Sequence, residues 1–473
     1  MIFNSIDFLL FFPVVYFIYL KSPHRIQNIF LLAASYFFYG YWDPRYLSLL
    51  FISTVVDYFC SISIQSSRDN LFKKKLFLVI SIASNLSILG FFKYYNFFAI
   101  SFKLFMANFG LSVNPVMMNF LLPLGISFYT FQTMSYTIDV YRGNLNPTRN
   151  FLDFALYVSF FPQLVAGPIE RATNLLPQVL SPRNITFNQL KEGAFLILLG
   201  YFKKIFIADN LAFIVDPIFD DPNSNGASIV FGCFVFYFQV YGDFAGYSDI
   251  ARGLSKFMGF ELMRNFDHPT FSVNVVDFWR RWHISFMSWL KDYVYFSIGK
   301  KDDSELKKNF NNLFVFFLSG LWHGANWTFV IWGVINGFIN LGYRFIHLNF
   351  PKKENEPTSG WKYLVKRNFN NAITLTITVI PLIYFRSKDL EMAWGHTTAM
   401  FNNFGFMDSK LFTKFFKNIF LLLLVEYHQY KYRDEFSIFK LPVPVRVLLY
   451  IALFYAILIL GNFDKNAFIY FVF

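Results

Sequence analysis

A histidine in the middle of an apolar stretch is the first residue that could do chemistry. His323 lies within residues 319–327, with apolar runs at 313–318 and 329–335 on either side. An ionisable group at membrane depth is costly, so it is a functional candidate by default. Burial disfavours the charged imidazole, and a neutral ring is able to accept a proton. The chemistry indicated is that of a general base.

A second histidine, His283, lies in a segment rich in Trp and Arg. One helix through residues 277–293 would place the large apolar side chains within about 100° of arc; these are Trp279, Trp282, Phe286, Trp289, Leu290 and Tyr293. Arg280 and Arg281 would face the opposite side, which is the pattern of a helix lying in the membrane interface. His283 falls at the edge of the stripe, where it could reach inward while the arginines meet lipid phosphates or an anionic donor. A purely structural interfacial histidine is the alternative.

Polar side chains also interrupt the apolar run 238–249. Asp243 and Asp249 are six residues apart, so on one helix they point to different faces and are unsuited to act as an acid–base pair. We expect them to pair with Arg252, Lys256 or other basic groups and to orient the site. The remaining polar candidates for substrate binding on this run are Gln239, Tyr247 and Ser248.

These residues must be positioned by a membrane-embedded helical protein. Of 473 residues, 55% are hydrophobic and only 15% are charged, against about 25% in soluble domains. Apolar runs long enough to cross a bilayer recur along the chain. The predicted spans or embedded helices are 6–20, 27–41, 44–66, 74–92, 94–109, 115–141, 151–166, 188–215, 226–256, 307–319, 322–347, 364–385, 411–426 and 443–461. Among them, 151–166 and 313–319 are expected to be re-entrant or partial.

Charge and cysteine content exclude other classes of protein. The net charge of +12 indicates basic cytoplasmic loops in a membrane protein and not nucleic-acid binding. Cys60 and Cys233 lie in apolar runs and indicate neither a disulfide framework nor a metal site. The apolar run 8–20 lacks a basic start and a small-residue cleavage site, so we expect a retained first span.

Four stretches in order resemble the membrane-bound O-acyltransferases: 161–171, 241–251, 278–299 and 320–332. Within that family the chain resembles the bacterial branch that O-acetylates alginate or transfers D-alanine to teichoic acids, the alginate type more closely. The resemblance implies an all-α, multi-pass bundle with re-entrant and interfacial helices around a central tunnel. It also implies a single membrane domain over residues 1–473, surrounded by lipid in the bacterial inner membrane.

The resemblance also assigns roles to residues. In the family, the histidine that corresponds to His323 is catalytic, and the upstream motif histidine corresponds to His283, whose role is less settled. The acyl donor would be a cytoplasmic thioester such as acetyl-CoA or an acyl carrier protein, with no cofactor bound permanently and no metal. His323 would act as general base on a hydroxyl. Candidate oxyanion donors are Asn326, Trp322 and the backbone N–H groups near Gly324.

An aromatic tail at residues 466–473 adds a further candidate. The hexapeptide 468–473 resembles endings in bacterial members and partners of these systems, where the tyrosine is proposed to carry the acyl group. Here that residue is Tyr470, and Val472 departs from the expected pattern. An aromatic anchor at the membrane interface is the alternative. The acceptor would be a polysaccharide, reached directly or through a periplasmic acyltransferase partner.

Two other functions compete with the enzyme. A transporter or flippase would also place polar groups in the membrane, but such proteins usually show internal repeats with paired broken helices, and no convincing repeat is found. A scaffold of a polysaccharide export complex has no need for His323 in an apolar run. The sequence therefore favours an acyltransferase.

Overall fold

The computed structural model describes residues 1–119, 121–349, 360–463 and 468–469. Within these residues every regular element of secondary structure is a helix, and there are no strands. The predicted all-α, polytopic fold class is confirmed. The chain divides into two compact units, one formed by residues 1–197 with 250–263 and the other by residues 198–249 with 264–473. The expectation of a single membrane domain stays a prediction.

The first unit contains the N-terminal helices. In chain order these are α1 (Ile6–Lys21), α2 (His24–Gly40), α3 (Leu47–Ser66), α4 (Leu71–Leu89), α5 (Tyr95–Ala107), α6 (Ile126–Arg142), α7 (Phe151–Ser159), α8 (Phe161–Leu164) and α9 (Ala172–Leu180). A π-helical turn, Gly90–Tyr94, joins α4 to α5. The break between α7 and α8 falls just before Pro162, as expected for a residue without a backbone N–H.

The semipolar helix α6 is buried almost throughout. The side-chain amide of Gln132 donates to the Tyr157 carbonyl oxygen at 2.7 Å, so α7 satisfies this buried polar side chain of α6. The predicted span 115–141 is wrong at its start, because residues 111–119 are not helical and α6 begins at Ile126. Pro123 and the left-handed Gly125 (φ 73°) precede it, and neither continues a helix.

Two helices, α10 (Phe187–Tyr201) and α12 (Gly226–Phe257), contribute residues to both units, with α11 (Asp209–Asp220) between them. The second unit continues with α13 (Val275–Arg281), α14 (Ile284–Trp289), α15 (Phe296–Ile298), α16 (Glu305–His323), α17 (Trp327–Asn349), α18 (Trp361–Val379), α19 (Leu382–Arg386), α20 (Leu390–Asn402), α21 (Ser409–Tyr432) and α22 (Val443–Leu460). π-Helical segments occupy Phe202–Ala208 and Leu290–Tyr295.

Six helical segments in the described part of the chain are long and apolar enough to cross a membrane: Pro44–Ser66, Leu71–Ala107, Gly226–Phe257, Trp327–Asn349, Trp361–Arg386 and Val443–Leu460. The stretch 313–319 is not the separate partial helix that was predicted. It lies inside α16, which runs without a break to His323, because Ser319 and Gly320 do not interrupt the helical hydrogen bonding.

Glycines of α12 allow close packing within the second unit. A Cβ on Gly246 would lie 2.7 Å from the Gly200 carbonyl oxygen, and one on Gly242 would lie 2.9 Å from that of Lys203. Such distances leave no room for a side chain, so the backbone of segment 200–204 rests directly on α12. This contact brings two lysines to the carboxylates of α12.

Candidate active site

His323 is the last residue of α16, at the turn into α17. Gly324 is extended (φ −163°) and ends the helix, and α17 begins at Trp327. A Cβ on Gly320 would clash with the carbonyl oxygen of Phe329 in α17. The two helix backbones are therefore in direct contact one turn before the histidine, and this contact fixes the place of His323.

Aromatic rings surround the His323 imidazole, which is only 4% exposed. The ring centroids of Trp322 and Trp332 lie 5.1 Å from that of His323, and the Phe385 centroid lies at 5.3 Å. The Phe286 ring completes the cage at 5.6 Å. All four contacts are edge-to-face, so the imidazole has one well-defined orientation in surroundings of low polarity.

His283 lies at a joint between α13 and α14, and the predicted single helix through residues 277–293 is wrong. Trp282 is extended (ψ 126°), and His283 is in the left-handed region (φ 45°), which few residues other than glycine adopt. The Ile284 N–H donates to the carbonyl oxygen of Asn265 at 2.8 Å. The break between α13 and α14 is therefore stabilised by a hydrogen bond to Asn265, which lies outside both helices. The periodicity of residues 277–293 cannot reveal such a partner.

The structure brings the two histidines together, with ring centroids 6.4 Å apart. His283 is 1% exposed and lies between Phe244 at 4.6 Å and Phe286 at 4.8 Å. Burial lowers the pKa of His283 to about 3. The ring is thus neutral at physiological pH and able both to donate and to accept a hydrogen bond.

A small cavity of about 20 Å³ lies beside His323. About 10–15 Å³ is needed to hold one water molecule, so the cavity has room for about one. Its lining is mainly aromatic and aliphatic: Tyr237, Val240, Phe278, Trp279, Trp282, His323, Trp332, Thr378, Leu382 and Phe385. A small polar group could approach the imidazole here with little accompanying solvent.

Two buried lysines were missed by the sequence reasoning. The Lys203 Nζ atom lies 3.0 Å from Asp249 Oδ2 and 3.3 Å from Glu426 Oε1. The Tyr241 hydroxyl also donates to Glu426, at 2.5 Å. Charges inside a membrane protein mark functional or strongly paired positions, so the adjacent lysines in an otherwise uncharged run could have been singled out.

The second lysine, Lys204, holds the other carboxylate of α12. Its Nζ atom lies 2.7 Å from Asp243 Oδ1 and 2.9 Å from Asp209 Oδ1. The expectation that both α12 carboxylates pair with basic groups is confirmed, with these lysines as partners. The two carboxylates meet different lysines, in agreement with their positions on different faces of the helix.

The described part of the C-terminal tail is anchored at the same place. The Ile469 N–H donates to Asp243 Oδ2 at 2.7 Å. Phe468 is 2% exposed, and its ring centroid lies 4.9 Å from that of Tyr247. Tyr470, the predicted acyl carrier, lies outside the described residues.

Asn326 has a structural task in this conformation. Its side-chain amide donates to the Lys388 carbonyl oxygen at 2.9 Å, and its Oδ1 accepts from the Thr328 N–H at 3.1 Å. The residue therefore caps the start of α17. Its assignment as an oxyanion donor stays a prediction.

The remaining candidates are distributed over several surfaces. Arg280 is exposed, whereas the Arg281 Nε atom is bound to Asp277 Oδ1 at 2.8 Å. Gln239 and Ser248 are buried in α12. Trp322 is one of the rings of the cage and directly contacts the His323 imidazole.

A family model described as MBOAT, the membrane-bound O-acyltransferase family, matches residues 145–385. This range includes His323, His283 and the lysine–carboxylate pairs of α12. The chain belongs to the membrane-bound O-acyltransferase family. It is therefore a multi-pass membrane enzyme that transfers acyl groups, and the competing transporter and scaffold interpretations are not needed.

The relatives within this family differ in how much of this chain they match. A probable alginate O-acetylase AlgI of Azotobacter vinelandii is 38% identical over 85% of this chain and 78% of its own. A peptidoglycan O-acetyltransferase of Helicobacter pylori is 35% identical over 79% of this chain and 73% of its own. A teichoic acid D-alanyltransferase of Bacillus subtilis is more distant, at 28% over 50% of this chain and 63% of its own.

Proposed function

We propose that this enzyme is an O-acetyltransferase of the bacterial inner membrane that moves an acetyl group from a cytoplasmic thioester to a polysaccharide outside the membrane. The observation that carries the proposal is the buried imidazole of His323, held beside His283 in an aromatic cage. The relatives named for O-acetylation of alginate and of peptidoglycan support an acetyl group and a polysaccharide acceptor. Acetyl-CoA or an acetylated carrier protein would be the donor.

His323 acts as the general base in this proposal. The neutral imidazole takes the proton of a hydroxyl group while the hydroxyl oxygen attacks the thioester carbonyl carbon. The tetrahedral oxyanion then collapses, the C–S bond breaks, and the leaving thiolate takes the proton back from the imidazolium. Positioned base catalysis typically contributes a factor of about 10²–10⁴ to the rate. The thiolate is a good leaving group, so the reaction requires no resident cofactor.

His283 assists in its neutral form. A pKa of about 3 excludes a standing positive charge at this position under physiological conditions. Its backbone joint and its ring contacts hold it near His323, where it would orient the hydroxyl or the acyl group through a hydrogen bond. It is a positioning residue in this scheme, and the proton transfer belongs to His323.

Tyr470 is proposed as the hydroxyl that is acylated first. The residues just before it support this role, because Phe468 packs 5.9 Å from Phe244 and Phe244 in turn packs on His283. The tyrosine oxygen would form an ester as the C–S bond of the donor breaks. A polysaccharide hydroxyl, acting directly or through a periplasmic partner, would then take the acetyl group and regenerate the phenol.

The proposal is tested by transfer of labelled acetyl groups in membranes that contain wild-type protein or the His323→Ala variant. We expect His323→Ala to lose activity by a factor of about 10²–10⁴ at unchanged membrane abundance. His396→Ala is the matched control, because His396 is also fully buried but hydrogen-bonds the Asp221 carbonyl oxygen outside the cage. Retained transfer in His323→Ala, or an equal loss per folded molecule in both variants, contradicts the assignment.

A further inference from the structure

Two tryptophans that line the small cavity beside His323 carry buried N–H groups. Trp279 of α13 is 8% exposed, and Trp332 of α17 is 4% exposed. In the described part of the chain, the Nε1 atom of each ring is buried and has no hydrogen-bond partner. An indole N–H can only donate, and a buried donor without an acceptor is costly. Two such groups around one cavity therefore require an explanation.

The other polar side chains of the cavity wall include two hydroxyl groups, and both are bound elsewhere. The Thr378 hydroxyl donates to the Thr374 carbonyl oxygen at 2.8 Å. The Tyr237 hydroxyl lies 3.2 Å from Thr270 Oγ1. The two indole N–H groups have no such partner. The cavity itself has room for about one water molecule, and a space of that size accommodates one oxygen atom of a substrate.

The position of Trp332 relative to His323 is fixed by the packing of two helices. A Cβ on Gly333 would lie 3.0 Å from the backbone nitrogen of Gly320, so α17 rests directly on α16 beside Trp332. The ring centroid of Trp332 lies 5.1 Å from that of His323, at an interplanar angle of 88°. The indole therefore has a set place beside the proposed base before any substrate binds.

Trp279 is tied to the same two helices. Its ring packs edge-to-face on Phe316 of α16, with centroids 5.2 Å apart, and on Trp332 of α17 at 6.1 Å. Hydrogen-bond donors stabilise a developing charge most effectively when they are held in place in advance and water is excluded. The rings around this cavity provide both conditions.

Acyl transfer at His323 requires donors of this kind. When a hydroxyl oxygen attacks the thioester carbonyl carbon, the electron pair of the C=O π bond moves to the carbonyl oxygen, which becomes an oxyanion. An unpaired anion in surroundings of low polarity is costly. The side-chain amide of Asn326 donates to the Lys388 carbonyl oxygen, so in this conformation other groups must stabilise the charge.

We propose that the indole N–H groups of Trp279 and Trp332 donate hydrogen bonds to this oxyanion. The inference rests on the proposed function, since it adds two catalytic residues to the same reaction. The oxyanion accepts both N–H groups while His323 holds the proton of the hydroxyl. The carbonyl then re-forms, the C–S bond breaks, and the leaving thiolate takes the proton from His323. The indoles neither gain nor lose a proton in this cycle.

The test replaces each tryptophan with benzothienylalanine, which keeps the bicyclic shape and has sulfur in place of the N–H group. The rate of thiol release is measured in a single turnover with saturating acetyl-CoA, and an acetylated carrier protein is the second donor tested. Trp279→benzothienylalanine and Trp332→benzothienylalanine should each lower this rate by a factor of about 10²–10³. The Kd of the donor should change little, because the charge forms only during the reaction.

The matched control is Trp289→benzothienylalanine, because Trp289 is also buried but does not line the cavity. This variant should keep the wild-type rate, and all three variants should keep normal abundance and melting temperature. An indole N–H that points at a neighbouring ring would have a weak acceptor there and no part in catalysis. Unchanged rates in the Trp279 and Trp332 variants, or an equal loss in the Trp289 variant, would overturn the inference.

The inference and the proposed function fail separately. If His323→Ala still transfers acetyl groups while loss of the indole N–H groups slows transfer, the assignment of the base fails and the oxyanion donors stand. If transfer requires His323 but proceeds normally without the indole N–H groups, the oxyanion donors fail and the assignment of the base stands.

Discussion

Replacing Asp243 with alanine should release the C-terminal tail. Asp243 Oδ2 accepts the Ile469 N–H at 2.7 Å, and a hydrogen bond to a charged group contributes about 1.5–3 kcal/mol. Its loss should reduce the docked fraction of the tail about 10- to 150-fold relative to the released fraction. Lys204 keeps Asp209 as a partner at 2.9 Å, so the fold should survive.

Release is measured by maleimide labelling of an Ile469→Cys variant in membranes, with Cys60 and Cys233 replaced. The substitution at Ile469 leaves its backbone N–H in place. If labelling requires undocking, its rate should rise about 10- to 150-fold in Asp243→Ala. Asp209→Ala is the matched control, because it takes a carboxylate from the same lysine but leaves the bond to Ile469. Equal labelling of wild type and Asp243→Ala, or equal increases in both variants, would refute the reasoning.

Substitutions at three other residues test the site. Gly320→Ala should lower the thermal stability and the activity together, since the added Cβ would clash with the Phe329 carbonyl oxygen. An unchanged melting temperature would show that α16 and α17 can move apart at no cost in stability. His283→Asn should lose activity but keep normal abundance, because Asn tolerates a left-handed backbone conformation. His283→Val should lose activity and also lose stability by roughly 1–2 kcal/mol. Equal abundance of the two variants would argue against a strained backbone at this position. Tyr470→Phe should keep the fold and abolish acetyl transfer, measured with labelled acetyl-CoA, and full activity would rule out the tyrosine relay.

Long apolar helices were the most predictable part of the fold. The predicted spans 226–256 and 443–461 agree with α12 and α22 to within one residue at each end. A membrane core demands an uninterrupted apolar run of defined length, so composition alone locates such helices. The breaks were harder, because they depend on contacts with other segments.

The joint at His283 shows why helix breaks are harder to predict from the sequence than long apolar helices. Trp279, Trp282, Phe286 and Trp289 are all buried, as a continuous amphipathic helix would require. The two short helices simply present the same residues to the same interior. Periodicity therefore predicted the buried side correctly and could not reveal the left-handed residue in the middle.

The pairing of the charged groups in the site depends on tertiary structure even more than the positions of the helix breaks do. The partner of Asp243 is Lys204, about 40 residues earlier in the chain, and no local rule connects them. A cavity of about 860 Å³ in the second unit likewise gathers side chains from three separated parts of the chain, which include Arg281, Arg367 and Lys431. In the sequence these residues look like ordinary basic loop residues and helix ends.

The lining around His323 has a consequence for the proton gradient of the cell. An enzyme that serves both faces of a membrane must not become a path for ions. The cavity beside His323 has room for about one water molecule, and its walls are mostly rings and aliphatic chains, which favour dewetting. One water molecule is too few to form a continuous hydrogen-bonded chain within this cavity. In the proposed mechanism, the rings that hold His323 would therefore also limit proton leakage beside the base during acyl transfer.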